Sequence, residues 1–147
     1  MKIGEFLTRS HRRLVMCMPS HTLVDASKLL YANNIGAMPV CELNMHMVGI
    51  VSERDMVRTI ATTEWNELRL LHVRDVMTTQ VVRCGPDDSM QAAQALMRRH
   101  HVRHMPVVEA GRVTGMLSIR DTLALRLQES EDEIHVLRDA VVAARHG

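Results

Sequence analysis

Ile35-Gly36-Ala37-Met38-Pro39-Val40-Cys41-Glu42 and Val102-Arg103-His104-Met105-Pro106-Val107-Val108-Glu109 are one pattern written twice, 67 positions apart. Outward from these stretches, all four prolines obey the same shift, Pro19 with Pro86 and Pro39 with Pro106, and so do Cys17 and Cys84. Ala26 with Ala93 and Leu29 with Leu96 continue it. After a one-residue gap, Gly49, Ser52, Arg54 and Asp55 match Gly115, Ser118, Arg120 and Asp121 at a shift of 66. Upstream, Ile3, Phe6, Leu7 and Thr8 correspond to Val73, Val76, Met77 and Thr78, with about three additional residues following the first lead-in. The chain is an internal repeat, and each copy is too small to bury its own face well, so the two are expected to pack as one unit.

Periodicity orders the elements within each copy. Leu23, Ala26, Leu29, Leu30 and Asn33 follow helical spacing after Pro19, as Met90, Ala93, Leu96 and Met97 do after Pro86. Thr22 is a candidate N-cap for the first helix, and Asp88 or Ser89 for the second. Two short strands follow in each copy, Met38 to Glu42 with Met47 to Ser52, and Met105 to Glu109 with Val113 to Ser118. A further helix starts near Arg54 and near Arg120. The expected fold is α+β: two strand-helix-strand-strand-helix repeats packed about a pseudo-twofold, with a long C-terminal helix. The boundaries are residues 1–60 and 73–127 for the repeats, 61–72 for a connector and 128–147 for a helical extension.

Composition excludes several classes. With 147 residues, 46% hydrophobic and 24% charged, the chain is globular, and a net charge of +1 gives no electrostatic footprint for nucleic acid or an anionic membrane. No apolar run approaches a membrane span, and the charged N-terminus has no signal-peptide pattern. The odd cysteine count, Cys17, Cys41 and Cys84, argues against a disulfide framework and suits a reducing cytosol. Twelve methionines against three aromatics point to an adaptable aliphatic core without stacking platforms for single-stranded nucleic acid.

The chemistry concentrates at the Gly49-Ser52-Asp55 and Gly115-Ser118-Asp121 strings, where a strand ends and a helix begins. Free amides there favour anionic ligand oxygens, the serine caps the helix or donates to a ligand, and the carboxylate can accept from two adjacent hydroxyls such as a ribose diol. Helix capping alone also accounts for a Ser-x-x-Asp string. The run His100-His101-Val102-Arg103-His104 has an i, i+4 pair, but the helix is expected to end before His104, so no metal site is assigned. No G-x-S-x-G elbow, P-loop or dinucleotide fingerprint occurs, and no catalytic residue is assigned. Cys17 and Cys84, as equivalent strand positions, could approach each other across the pseudo-twofold, which leaves thiol chemistry as a minor alternative.

The strings IGAMPVCE with VRHMPVVE, VGIVSERD with TGMLSIRD, and the lead-in VRDVMT together resemble the cystathionine β-synthase (CBS) domain. The tandem resembles a CBS pair, or Bateman module, from about Ile3 to Leu127. That resemblance implies a regulatory, non-catalytic module binding an adenosine-containing ligand such as AMP, ADP, ATP, S-adenosylmethionine or NAD, with no required cofactor. It assigns the ribose to Asp121 and Asp55, with Ser118, Ser52, Arg103, His104 and Arg120 toward the phosphates. It also builds each cleft from both copies: Asp121 and Ser118 with Met18, Leu23, Ile35 and Gly36, and Asp55 and Ser52 with Gly85, Met90 and Val102. Arg103 and His104 replace Gly36 and Ala37 of the first copy, so the Asp121 cleft is the expected phosphate site.

Beyond the repeat, Leu127, Ser130, Ile134, Leu137, Val141 and Ala144 step by three and four, a seam suited to a homodimer. Any output passes to an unidentified downstream protein. The rival class is a dimeric scaffold whose clefts stay empty.

Overall fold

Hydroxyl caps start the four longest helices of the repeats. Thr22 accepts from the amide of Asp25 at 3.1 Å while the Asp25 carboxylate accepts from the amide of Thr22 at 3.0 Å, a reciprocal capping box. In the second copy the cap is Ser89, which accepts from the amide of Ala92 at 3.0 Å; Asp88 accepts from the amide of Gly85 instead. The computed structural model describes every residue from Met1 to Gly147. In chain order it contains α1 (Ile3–Ser10), α2 (Leu23–Ala32), β1 (Ala37–Cys41), β2 (Met47–Ser52), α3 (Glu53–Thr62), the single turns α4 (Trp65–Leu68) and α5 (Val73–Val76), α6 (Met90–His100), β3 (His104–Glu109), β4 (Arg112–Ser118) and α7 (Ile119–His146).

Each repeat holds one antiparallel pair, β1 with β2 and β3 with β4, in matching register: Met38 faces Val51 as Met105 faces Leu117. Both pairs carry a bulge at the same place, after Val40 and after Val107. The expected leading strands are reduced to single parallel bridges, Cys17 with Val40 and Cys84 with Val107. Pro19 and Pro86 follow at once; a fixed φ and a missing donor stop the ladder there. The tight turn between β3 and β4 uses positive φ at Ala110 and Gly111, and Gly111 abuts the imidazole of His46, where the two sheets meet edge to edge.

Two buried clusters form the interior. The first gathers Cys17, Leu23, Ala26, Leu30, Met38, Val40, Val51, Met56 and Val73; the second gathers Ile3, Cys84, Met90, Ala93, Met97, Met105, Val107 and Leu117. A small third group, Cys41, Met47 and Val113, sits between the sheets. The lead-ins are exchanged: Ile3 of α1 is fully buried in the second cluster and Val73 of α5 in the first. Each exchange needs a glycine opposite it. A Cβ on Gly115 would lie 2.5 Å from the Leu7 side chain, and one on Gly49 would lie 2.8 Å from both the Met77 sulfur and the Thr78 carbonyl. The glycines of the two Gly-x-x-Ser strings are thus demanded by packing. Cys17 and Cys84 lie in different clusters, because each faces the strand pair of its own repeat.

Candidate functional site

At both strand-to-helix junctions the serine and aspartate form a capping box. The Asp55 carboxylate accepts from the amide of Ser52 at 2.8 Å and the Asp121 carboxylate from the amide of Ser118 at 2.8 Å, while each serine Oγ accepts in return at 3.3 Å. Both carboxylates are buried, at 6% and 8% exposure. A buried charge needs a partner, and the two find theirs differently. Arg58, one turn along α3, donates to Asp55 Oδ1 at 2.6 Å. Asp121 instead receives a two-pronged contact from Arg12, at 3.1 Å to Oδ2 and 2.5 Å to Oδ1, from 109 residues away in sequence. The Arg12 guanidinium also lies over the Phe6 ring, 5.4 Å from its centroid.

Around Asp121 the structure gathers residues of both repeats. His104 pairs with Ser118 across β3 and β4 and reaches Gly36 of the first repeat, where a Cβ would come within 3.0 Å of the imidazole and 3.3 Å of the Glu53 carboxylate. The amide of Ile119 donates to the carbonyl of Arg103 at 2.8 Å, fixing that backbone at the start of α7, as the amide of Glu53 donates to that of Gly36 in the first copy. Burial lowers the affinity of His104 for a proton; Glu53 and Asp121 act against that shift, and Arg103 and Arg120 with it. Ser118, Asp121, Arg103, His104 and Arg120 therefore share one locality with the Gly36 edge, and Glu53 and Arg12 join them.

Other expected wall residues serve elsewhere. Leu23 and Met90, at the first positions of α2 and α6, are buried in their own clusters and line grooves between those helices and α3 or α7. Ile35 and Val102 are partly buried against clusters one and two. Met18 is 45% exposed, its amide donating to His21, and the Gly85 amide is engaged by Asp88. Arg12 was legible only as part of the extra residues in the first copy, and nothing in its local pattern names Asp121 as its partner. The histidines diverge: His100 ends α6, His101 turns the chain with φ of 54°, and His104 opens β3. Burial pushes the thiols of Cys17 and Cys84 up to about 12, the reverse of what thiolate chemistry needs.

The model of the CBS domain matches twice, over residues 3–62 and 73–127. The chain belongs to the CBS domain family. Its two repeats form a CBS pair, a regulatory rather than catalytic module. The CBS domain-containing protein YhcV of Bacillus subtilis is 30% identical over 113 residues, which are 77% of this chain and 78% of YhcV. The crystal structure of the CBS-domain containing protein ATU1752 from Agrobacterium tumefaciens superposes with a TM-score of 0.78 at 32% identity, covering 86% of this chain and 99% of that one. The Pyrobaculum aerophilum CBS domain protein PAE2072, complexed with AMP, gives 0.72 at 27% identity over 82% and 89% of the two chains. Against the inosine-5'-monophosphate dehydrogenase of Bifidobacterium longum, 36% identical over 105 residues, the match spans 18% of the enzyme. No helix of the chain is long and apolar enough to cross a membrane.

Proposed function

We propose that this CBS pair is a cytosolic regulatory sensor that binds an adenosine-containing ligand at the Asp121 junction and signals by a conformational shift to a separate downstream protein. The observation that carries the reading is the buried Asp121 carboxylate, held by its own cap beside Ser118, Arg103, His104 and Arg120 on the seam between repeats. Such a carboxylate can accept from the two hydroxyls of a ribose, and the adjacent cations suit phosphate. The AMP-bound relative supports that ligand class. Asp55, with Ser52, offers a second and weaker site, since Gly36 and Ala37 stand there where the other copy has Arg103 and His104. A thermal-shift panel of AMP, ADP, ATP, S-adenosylmethionine and NAD tests the reading; a ligand at 100 times its Kd stabilises by about 2.7 kcal/mol. No shift with any of them overturns it.

One observation favours a rival reading, an assembly module with empty clefts: Arg12 already satisfies Asp121 without a ligand. Under either reading the exposed apolar stripe of α7 supports assembly with a second copy.

A further inference from the structure

His104 stands where the two repeats meet. It opens β3 opposite Ser118, the residue that caps α7, and its imidazole reaches across to Gly36 of the first repeat. A Cβ on Gly36 would lie 3.0 Å from the imidazole Cε1, 3.1 Å from Nε2 and 3.3 Å from a Glu53 carboxylate oxygen, so ring and carboxylate approach one point from opposite repeats. The ring nitrogens have no hydrogen-bond partner within the chain, and neither is sealed from solvent. The matching position in the first copy is Ala37, so such a ring belongs to the Asp121 site alone.

Charges face the imidazole from every element around it. Glu53 comes from the first turn of α3 and Asp121 from the first turn of α7; Arg103 precedes the ring in the chain, and Arg120 stands next to Asp121. Arg12, arriving from beyond α1, already holds both Asp121 oxygens. The N-termini of α3 and α7 add two positive helix ends. Burial and the two neighbouring arginines favour the neutral ring over the imidazolium, the two carboxylates oppose them, and the result lies below the ordinary value of 6.5. In the ligand-free chain the ring is therefore mostly uncharged at neutral pH, with one N–H and one lone pair. A phosphate dianion reverses the balance. It sets a negative charge among the arginines, and its oxygens can accept from both N–H groups of an imidazolium, whereas a neutral ring opposes a lone pair to the anion.

We propose that a phosphate-bearing ligand enters the Asp121 site together with one proton, which His104 takes from solvent. This rests on the adenosine-ligand reading above and adds its regulation: the site reads nucleotide and pH jointly. Linkage fixes the sign. The ring is neutral before binding and charged after it, so affinity for the phosphate ligand rises as pH falls, by up to about tenfold per pH unit between the free and bound proton affinities. Reciprocally, the ligand raises the proton affinity of His104 by the same factor. Adenosine, which has no phosphate, takes up no proton, and neither does a ligand at the Asp55 site.

Calorimetry of AMP and of adenosine binding to the full chain, at neutral pH in two buffers of different ionisation enthalpy, counts the protons. Net uptake with AMP and none with adenosine is expected. The AMP phosphate itself can only release a proton beside arginines, so the uptake cannot come from the ligand. His104→Gln keeps an N–H donor and cannot charge; it is expected to bind AMP without uptake and without the rise in affinity toward low pH. Should that variant fold poorly, the carbon-bound imidazole proton of His104 in the wild-type chain, followed by NMR through a pH titration, replaces it: AMP is expected to raise the midpoint by about one unit and adenosine to leave it in place. AMP binding without uptake, equal uptake with adenosine, or uptake that survives His104→Gln overturns the proposal and leaves the adenosine-ligand reading standing. Failure of both AMP and adenosine to bind at any pH overturns the two together.

Discussion

Asp121 performs two structural tasks before any ligand arrives, capping α7 and pairing with Arg12. On the proposed reading, a ribose diol at Asp121 would compete with Arg12 for the same two oxygens. Arg12 is half exposed but Asp121 is buried, so losing the guanidinium leaves a buried acceptor short of a partner at a cost of about 1 to 3 kcal/mol. Arg12→Ala is therefore expected to lower stability by about that amount in chemical denaturation while tightening adenosine several-fold in calorimetry; weaker adenosine binding would mean that Arg12 is no competitor. His104 gives a pH signature. Its folded-state proton affinity lies below that of the free imidazole at 6.5, mainly through burial, and the unfolded chain takes up the proton first. The stability it contributes is complete above 6.5 and is lost as pH falls below that value. His104→Gln is expected to flatten the stability profile in that window, and an unchanged slope would assign the titration to other groups.

At the scale of elements, the repeat made most of the secondary structure readable. The short apolar runs Met38 to Glu42 with Met47 to Ser52, and Met105 to Glu109 with Val113 to Ser118, mark both antiparallel pairs, and hydroxyls ahead of apolar periods mark the helix starts. The leading strands differ from expectation because pairing is a nonlocal property: Cys17 and Cys84 have the residues of a strand, yet the prolines two positions on cut the ladder to one bridge. The lead-in exchange was also hidden, since Ile3 and Val73 look alike and nothing local says which core each enters. Gly49 and Gly115 did hold that information, as places where another backbone or side chain comes close. Ile3→Ala is expected to cost about 2 to 5 kcal/mol and to loosen the second repeat, far away in sequence. Native-state hydrogen exchange should show the loss of protection first in α6, β3 and β4; a loss confined to α2, β1 and β2 would contradict the exchange.

At the scale of the whole molecule, the crossed lead-ins tie each core to the other repeat, and the Asp121 junction lies on the seam they create. Serine and aspartate are legible in the sequence because they sit in repeated strings, and Arg103 with His104 because they break the repeat where the first copy has Gly36 and Ala37. Arg12 and Glu53 are not, because they reach the seam only through folding. A ligand can bias such a molecule only by its preference between arrangements of the seam, and on the proposed reading displacement of Arg12 would be one such difference. The direct test is calorimetric titration of AMP into the wild-type chain, Asp121→Asn and Asp55→Asn, since asparagine keeps the size and an acceptor for the cap. Loss of a charge-assisted contact of about 1.5 to 3 kcal/mol predicts AMP binding roughly 10- to 150-fold weaker for Asp121→Asn, with a smaller loss for Asp55→Asn. Undiminished binding by Asp121→Asn, or a larger loss at Asp55, would contradict the assignment of the site.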